Sequence, residues 1–220
     1  MPALPENRIH NWLDCRAFMA ADYYSRSGRR PVIEFVMNPV VRFLVLLRIA
    51  EWLLNIGAPF IVRAPLMFWF RRLSMRCGFS ISLNVFGPGI ALPHYGPLMV
   101  HQDACIGRNC RIHIGTVIAG SAVIMDPAEV PEFDAPIIGD NVYIGPGVKM
   151  SGPLRIASDC AIGANSVVTH SFNRPGVMIS GFPAKIVGLQ GSQDMLVRGC
   201  DFVPALRATE SIIDDLQAAG

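Results

Sequence analysis

From Val100 to Val168 an aliphatic residue returns at every sixth position. Val100, Ile106, Ile112 and Ile118 keep one register, and after an interruption Ile138, Ile144, Met150, Ile156, Ile162 and Val168 resume it. The residue that follows is usually small, as at Gly107, Ala119, Gly139, Gly145, Ser151, Ala157 and Gly163. Four places after the aliphatic position comes another small or apolar residue, such as Cys110, Thr116, Val148 and Ser166, and the residues between are turn formers, among them Arg108-Asn109, Asp140-Asn141, Ser158-Asp159 and Ala164-Asn165. Each unit therefore reads as a short strand and a corner. A strand that short cannot bury its apolar side alone, so the units must stack into a parallel β-helix whose coils hydrogen-bond to one another. An amphipathic helix would need apolar residues at three-and-four spacing, which this stretch lacks.

Residues 1–80 have no six-residue period. They carry apolar runs with interspersed arginines and predict helices, one over 40–55 stopped by Gly57 and Pro59, another over 65–75 stopped near Gly78. In the first of these, Arg48, Glu51 and Asn55 share one face and leave a wide apolar face elsewhere. Ile118 and Ile138 stand twenty residues apart, which does not fit whole coils, so an extruded loop is expected over 121–136. The chain thus divides into an N-terminal helical region (1–80), the β-helix (81–188) and a tail (189–220) ending in a short helix over 211–218.

Composition sharpens this picture. Hydrophobic residues make up 51% of the chain and charged residues 16%, so much apolar surface must be hidden in a core, a subunit interface or a membrane contact. Residues 1–80 hold eleven arginines against five acids, whereas residues 81–220 hold eight basic residues against twelve acidic ones. The first expectation for the basic front is helices packed on the coil or on a neighbouring subunit, their arginines snorkelling to solvent. Peripheral contact with an anionic membrane surface is the alternative. Arg42, Arg48 and Glu51 interrupt the longest apolar run, which argues against a crossing helix of about twenty uncharged residues. Six cysteines without a CxxC pair read as core residues of a reducing compartment. The N-terminus lacks the layout of a secretory signal. A cytoplasmic location is expected, at the inner face of the membrane if the front makes contact, with no nucleic-acid partner.

The spacing, its aliphatic-Gly heads and the closing phrase from Gly181 to Gly188 (GFPAKIVG) resemble the hexapeptide-repeat acyltransferases over about residues 80–188. The stretches Asn84–His94 (NVFGPGIALPH), Cys110–Gly115 (CRIHIG) and Ile137–Gly147 (IIGDNVYIGPG) look like the serine acetyltransferase branch, nearest to its members tied to surface-polysaccharide synthesis. The resemblance implies a left-handed, triangular coil, acetyl-CoA as donor, a homotrimer with its sites in the grooves between subunits, and no metal. It also implies that His94 is the base, and that coenzyme A runs along Gly120, Gly145, Ala164, Gly181 and Lys185, the last near phosphate.

The residues support a site of their own. Acetyl transfer to a hydroxyl needs a base for the alcohol proton, and histidine suits neutral pH. His94 and His113 are nineteen residues apart, which places them on adjacent turns, and His113 follows an inward Ile112 and so points outward. Gly145, Gly163 and Gly181 are successively eighteen apart and are expected to stack in one column. Asp134, nearest the point where the loop rejoins the coil, is the acid expected to orient a histidine or bind an acceptor. His101 and His170 are expected to be ordinary surface residues. The serine branch has Asp before its base where this chain has Pro93, and Arg-His where it has Asp134-Ala135. Those departures direct the expectation toward a saccharide acceptor in surface-polysaccharide synthesis. Serine O-acetylation for cysteine synthesis is the alternative, and a non-catalytic or zinc-dependent β-helix belongs to a third class.

Overall fold

The computed structural model describes residues 8–26, 31–121 and 134–206. Of the predicted features, most of loop 121–136, including Asp126, Glu129 and Glu132, and the helix over 211–218 lie outside the described residues.

The six-residue period becomes a three-sided parallel coil. One side stacks Phe79–Ile81, Leu98–Val100, Val117–Ala119, Lys149–Ser151 and Val167–Val168; the second stacks Cys105–Ile106, Ile137–Ile138 and Arg155–Ile156; the third stacks Arg111–Ile112, Tyr143–Ile144, Ala161–Ile162 and Met178–Gly181, closed by antiparallel Ala184–Gly188. The aliphatic positions all point inward, and Ile106, Ile112, Ile118, Ile138, Ile144 and Ile162 have essentially no exposed surface. The corners explain the turn-forming pairs. Asn109, Asn141, Asp159 and Asn165 take positive φ, which Asn and Asp tolerate best among residues with side chains. The first three form a ladder: Asn109 Nδ2 donates to Asn141 Oδ1 (3.1 Å) and Asn141 Nδ2 to Asp159 Oδ1 (3.0 Å). The tail runs back along this ladder, with Arg198 on Asp159 (3.1 Å) and the Cys200 N–H on Asn109 Oδ1 (3.0 Å).

Four helices precede the coil: α1 (Trp12–Arg26), α2 (Pro31–Met37), α3 (Pro39–Asn55) and α4 (Phe60–Cys77). Helix α3 starts where Asn38 caps it, its Oδ1 accepting from Val40 N, with Pro39 at the first helical position. Helix α4 starts five residues earlier than the apolar run suggests and carries Pro65 inside it. Packing on α3 outweighs the backbone bond that Pro65 cannot make. Gly78, at φ 75°, ends it in a left-handed cap. No helix among the described residues is long and apolar enough to cross a membrane. All six cysteines are buried, and burial pushes the thiol of Cys15 up to about 11.

The polar face of α3 points inward, not outward as snorkelling arginines would. Arg48 and Glu51 are both 0% exposed. Arg48 Nε meets Asp22 Oδ2 of α1 at 2.7 Å and Nη1 meets Glu51 Oε2 at 2.9 Å. Burial pushes both carboxyls above their usual range, and the guanidinium between them pulls the other way. Burial works against the charge on Arg48 as well, but the two acids outweigh it and hold the guanidinium protonated. Such a group stands only because each of its polar atoms finds a partner.

Candidate active site

That buried group holds the segment leading to His94. Residues 84–92 pair with the following coil, Phe86 bridging Ile106 and Ala91 bridging Arg111, so the backbone polar groups that this pairing leaves over need other partners. Arg48 donates to the carbonyls of Phe86 (3.0 Å) and Gly87 (2.7 Å). Asp22 Oδ1 accepts from Gly89 N (2.8 Å) and Ile90 N (2.9 Å), and Glu51 Oε1 accepts from Asn84 N (2.8 Å). Arg26 donates to the Leu92 carbonyl. Pro93 then restricts φ just before His94, and the Gly96 N–H returns to the Cys77 carbonyl at 2.8 Å. The imidazole of His94 stands exposed on this braced corner.

His113 sits one coil further on. Its N–H donates to the Ile144 carbonyl (3.0 Å) and its carbonyl accepts from Thr116 Oγ1 (2.8 Å), which fixes the backbone on both sides. Its ring centroid is 6.3 Å from that of His94 and 5.2 Å from that of Tyr143. Its Nε2 is buried and has no hydrogen-bond partner among the described residues. Burial, then the nearby Arg111, then His94 hold its imidazole below the usual histidine range, so it is neutral at pH 7. An unpartnered, neutral imidazole nitrogen beside a second, exposed imidazole is a place where a hydroxyl can give up a proton.

Below this pair runs a column of small residues. Gly145 N donates to the Ile162 carbonyl (2.9 Å) and Gly163 N to the Ile179 carbonyl (2.8 Å). A Cβ on Gly145 would lie 2.8 Å from Ala164 N, and one on Gly163 would lie 2.7 Å from Ser180 Oγ. The residue after Gly163 in the column is therefore Ser180, not Gly181. Tyr143 pairs with Ala161, eighteen residues on, but Ala161 pairs with Met178, seventeen on, so the last coil is one residue short. Gly181, at φ 112°, instead turns the closing hairpin and donates to Ser166 Oγ (3.2 Å). Ala164 and Lys185 are exposed along the same edge.

Within one chain, Asp134 and Gly120 stand at a different corner. A Cβ on Gly120 would lie 3.1 Å from His101 Nε2 and 3.3 Å from Asp134 Oδ2, so the ring and the carboxylate flank that glycine. His101 Nδ1 accepts from Asp103 N (3.3 Å), and Asp134 Oδ1 accepts from Ser121 N (3.2 Å). His101, expected to be an ordinary surface residue, is thus the histidine nearest the expected acid. The signal was in the sequence, since His101 and Gly120 are nineteen apart, the same offset as His94 and His113. Tyr143 and Arg111 also went unnoticed; each occupies the outward slot just before an inward isoleucine, where the period places no demand on residue type.

Residues 135–170 match the family model described as bacterial transferase hexapeptide (six repeats). A serine acetyltransferase of Mycobacterium tuberculosis (strain ATCC 25618 / H37Rv) is 30% identical over 142 residues, which is 64% of this chain and 57% of the relative. The chain thus spans a little over half of that relative's length. The structure of a serine acetyltransferase of Neisseria gonorrhoeae in complex with serine aligns with a TM-score of 0.59 at 25% identity, covering 80% of this chain and 69% of the other. That of a serine acetyltransferase of Brucella abortus strain S19 in complex with coenzyme A shares the fold, with a TM-score of 0.61 at 23% identity over 80% of this chain and 67% of the other.

The Mycobacterium tuberculosis relative and the Neisseria gonorrhoeae structure overturn the expectation of a saccharide acceptor, since both are named serine acetyltransferase. The geometry shows why the departures at Pro93 and Asp134-Ala135 misled. Pro93 serves the braced backbone before His94, Ala135 is fully buried in the coil core, and Asp134 lies beside His101. Of these residues only Pro93 stands beside the histidine pair; Asp134 and Ala135 lie at another corner of the chain.

Proposed function

We propose that this chain transfers acetyl from acetyl-CoA to the hydroxyl of serine, using His94 as the base and His113 as its neutral partner. The observation that carries the reading is the pair of imidazoles 6.3 Å apart at the head of the Gly145–Gly163 column. The serine oxygen attacks the thioester carbon as its proton passes to the imidazole of His94; the C–S bond then breaks, and the departing thiolate takes that proton back. The products are O-acetylserine and free coenzyme A, and no acyl-enzyme forms. Placing both substrates in one groove supplies much of the rate, and the base contributes roughly 10²- to 10⁴-fold.

In this reading the donor lies along Gly145, Ala164 and Gly181, where the absence of large side chains lets its amides reach the backbone. Lys185 meets its phosphate. The coil is left-handed and three copies assemble about a threefold axis. In such a ring a different corner of the neighbouring copy faces each site, which is how Gly120, His101 and Asp134 would join the same groove. The test is release of coenzyme A thiol on mixing purified protein, acetyl-CoA and serine, with O-acetylserine identified by mass. Serine-dependent release supports the reading; release no faster with serine than with water alone overturns it.

A further inference from the structure

The outward side of α4 has the wrong polarity for water. Its exposed stripe reads Ile61, Pro65, Phe68, Trp69, Arg72, Met75 and Arg76, with Ile61 82% exposed, Met75 71%, and Phe68 and Trp69 each 60%. A surface helix ordinarily turns polar residues outward, yet α4 has no acid at all and its four charges are all arginines. Apolar grooves flank it on both sides. One of about 380 Å³ runs over α3 between α2 and α4, walled by Phe35, Val45, Ile49 and Trp69, with Arg42, Arg72 and Arg76 around it. The other, of about 580 Å³, lies between α3 and α4, walled by Leu53, Leu54, Phe60 and Phe68, with Arg63 and Arg71 around it.

We infer that α4, with the adjoining edge of α2, is a docking face for an anionic phospholipid surface. Aromatic and aliphatic side chains would enter the boundary between headgroups and acyl chains, the two grooves would take acyl segments, and the arginines around them would meet lipid phosphates. A helix lying in the membrane plane has this composition, with aromatic and aliphatic residues beside basic ones. Charge decides between lipid and a second copy of the chain: apposing two such faces would set arginine against arginine with no acid from either α4, whereas an anionic surface complements every charge on α4.

The test is sedimentation of the full chain with vesicles of phosphatidylcholine alone or mixed with phosphatidylglycerol. The chain should pellet with the mixed vesicles and stay in solution with the neutral ones. Raising salt should release it, because screening shortens the reach of the arginines to below about 10 Å. Arg72→Gln with Arg76→Gln should weaken binding about thirtyfold, on the scale of losing two surface cations near the lipid. Phe68→Ser with Trp69→Ser should weaken it at low salt as well. These side chains are exposed, so the melting temperature should hold. A wild-type chain that stays in solution with the mixed vesicles at low salt overturns the proposal. So does a Phe68→Ser/Trp69→Ser variant that binds them as well as wild type, or one whose only change is loss of a wild-type oligomer, which would assign the face to a second copy.

Discussion

Arg48 Nε of α3 meets Asp22 Oδ2 of α1 at 2.7 Å with both side chains shut away from solvent, and the same two residues bond four backbone groups of the segment before His94. The helices are therefore joined to the candidate active site through polar bonds rather than by apolar packing alone.

Arg48→Met should thus remove more than a salt bridge. It leaves two buried carboxyls and two backbone carbonyls without their partner, and the loss should be about 3–5 kcal/mol, the scale for breaking a buried pair from one side. Urea denaturation measures it. A loss below about 1 kcal/mol would mean that water enters and takes over these bonds.

The column makes a prediction for a pair of residues. Gly163→Ala puts a methyl 2.7 Å from Ser180 Oγ and should cost about 1–3 kcal/mol by overpacking. Ser180→Gly in the same chain should return most of that loss, because it removes the atom in the way. A double-mutant cycle by thermal unfolding checks the coupling; additive effects would mean that the two residues do not oppose one another.

His113 predicts a pH dependence with a definite sign. Its folded state holds the imidazole below the ordinary value of about 6.5, so between those two values the unfolded chain binds more protons than the folded one. Its contribution to stability is complete above about pH 6.5 and declines as pH falls toward its folded value. His113→Asn should flatten the slope of melting temperature against pH in that window. The titration of His113 followed by NMR should have its midpoint below 6.5, and a midpoint at or above 6.5 would contradict the desolvated placement of the ring.

The coil was legible because its period is one-dimensional: an inward Ile112 or Ile144 needs no knowledge of the rest of the chain to be placed. The meeting of His94 and His113 could be read from the same arithmetic. The helical region was harder. Sequence spacing put Arg48 and Glu51 on one face but could not say which way that face turned, because their partners Asp22, Phe86 and Gly87 are distant in the chain. The shift from Gly181 to Ser180 escaped for a related reason, since a coil shortened by one residue breaks no visible motif. The place of Asp134 beside His101 and Gly120 was hidden behind the loop, whose length disguises how the coil resumes.

The tail, assigned no chemistry by its sequence, closes α1 against the coil. Gly199 N bonds Ser25 Oγ (3.1 Å), and Cys200, Val203 and Leu206 pack with Ile9, Cys15 and Phe18. Truncation after Gly188 should lower the melting temperature by several degrees and free α1 for proteolysis. Unchanged melting with an intact α1 would show that the tail merely rests there.

The central claim is tested most directly by His94→Asn in the serine-dependent thiol-release assay. The substitution keeps a polar side chain of similar reach at a position whose backbone is held by other residues. The account predicts turnover at least about 10²-fold below wild type, unchanged acetyl-CoA binding and melting temperature, and no recovery as pH is raised. Turnover within a few-fold of wild type would contradict it and move the base away from His94.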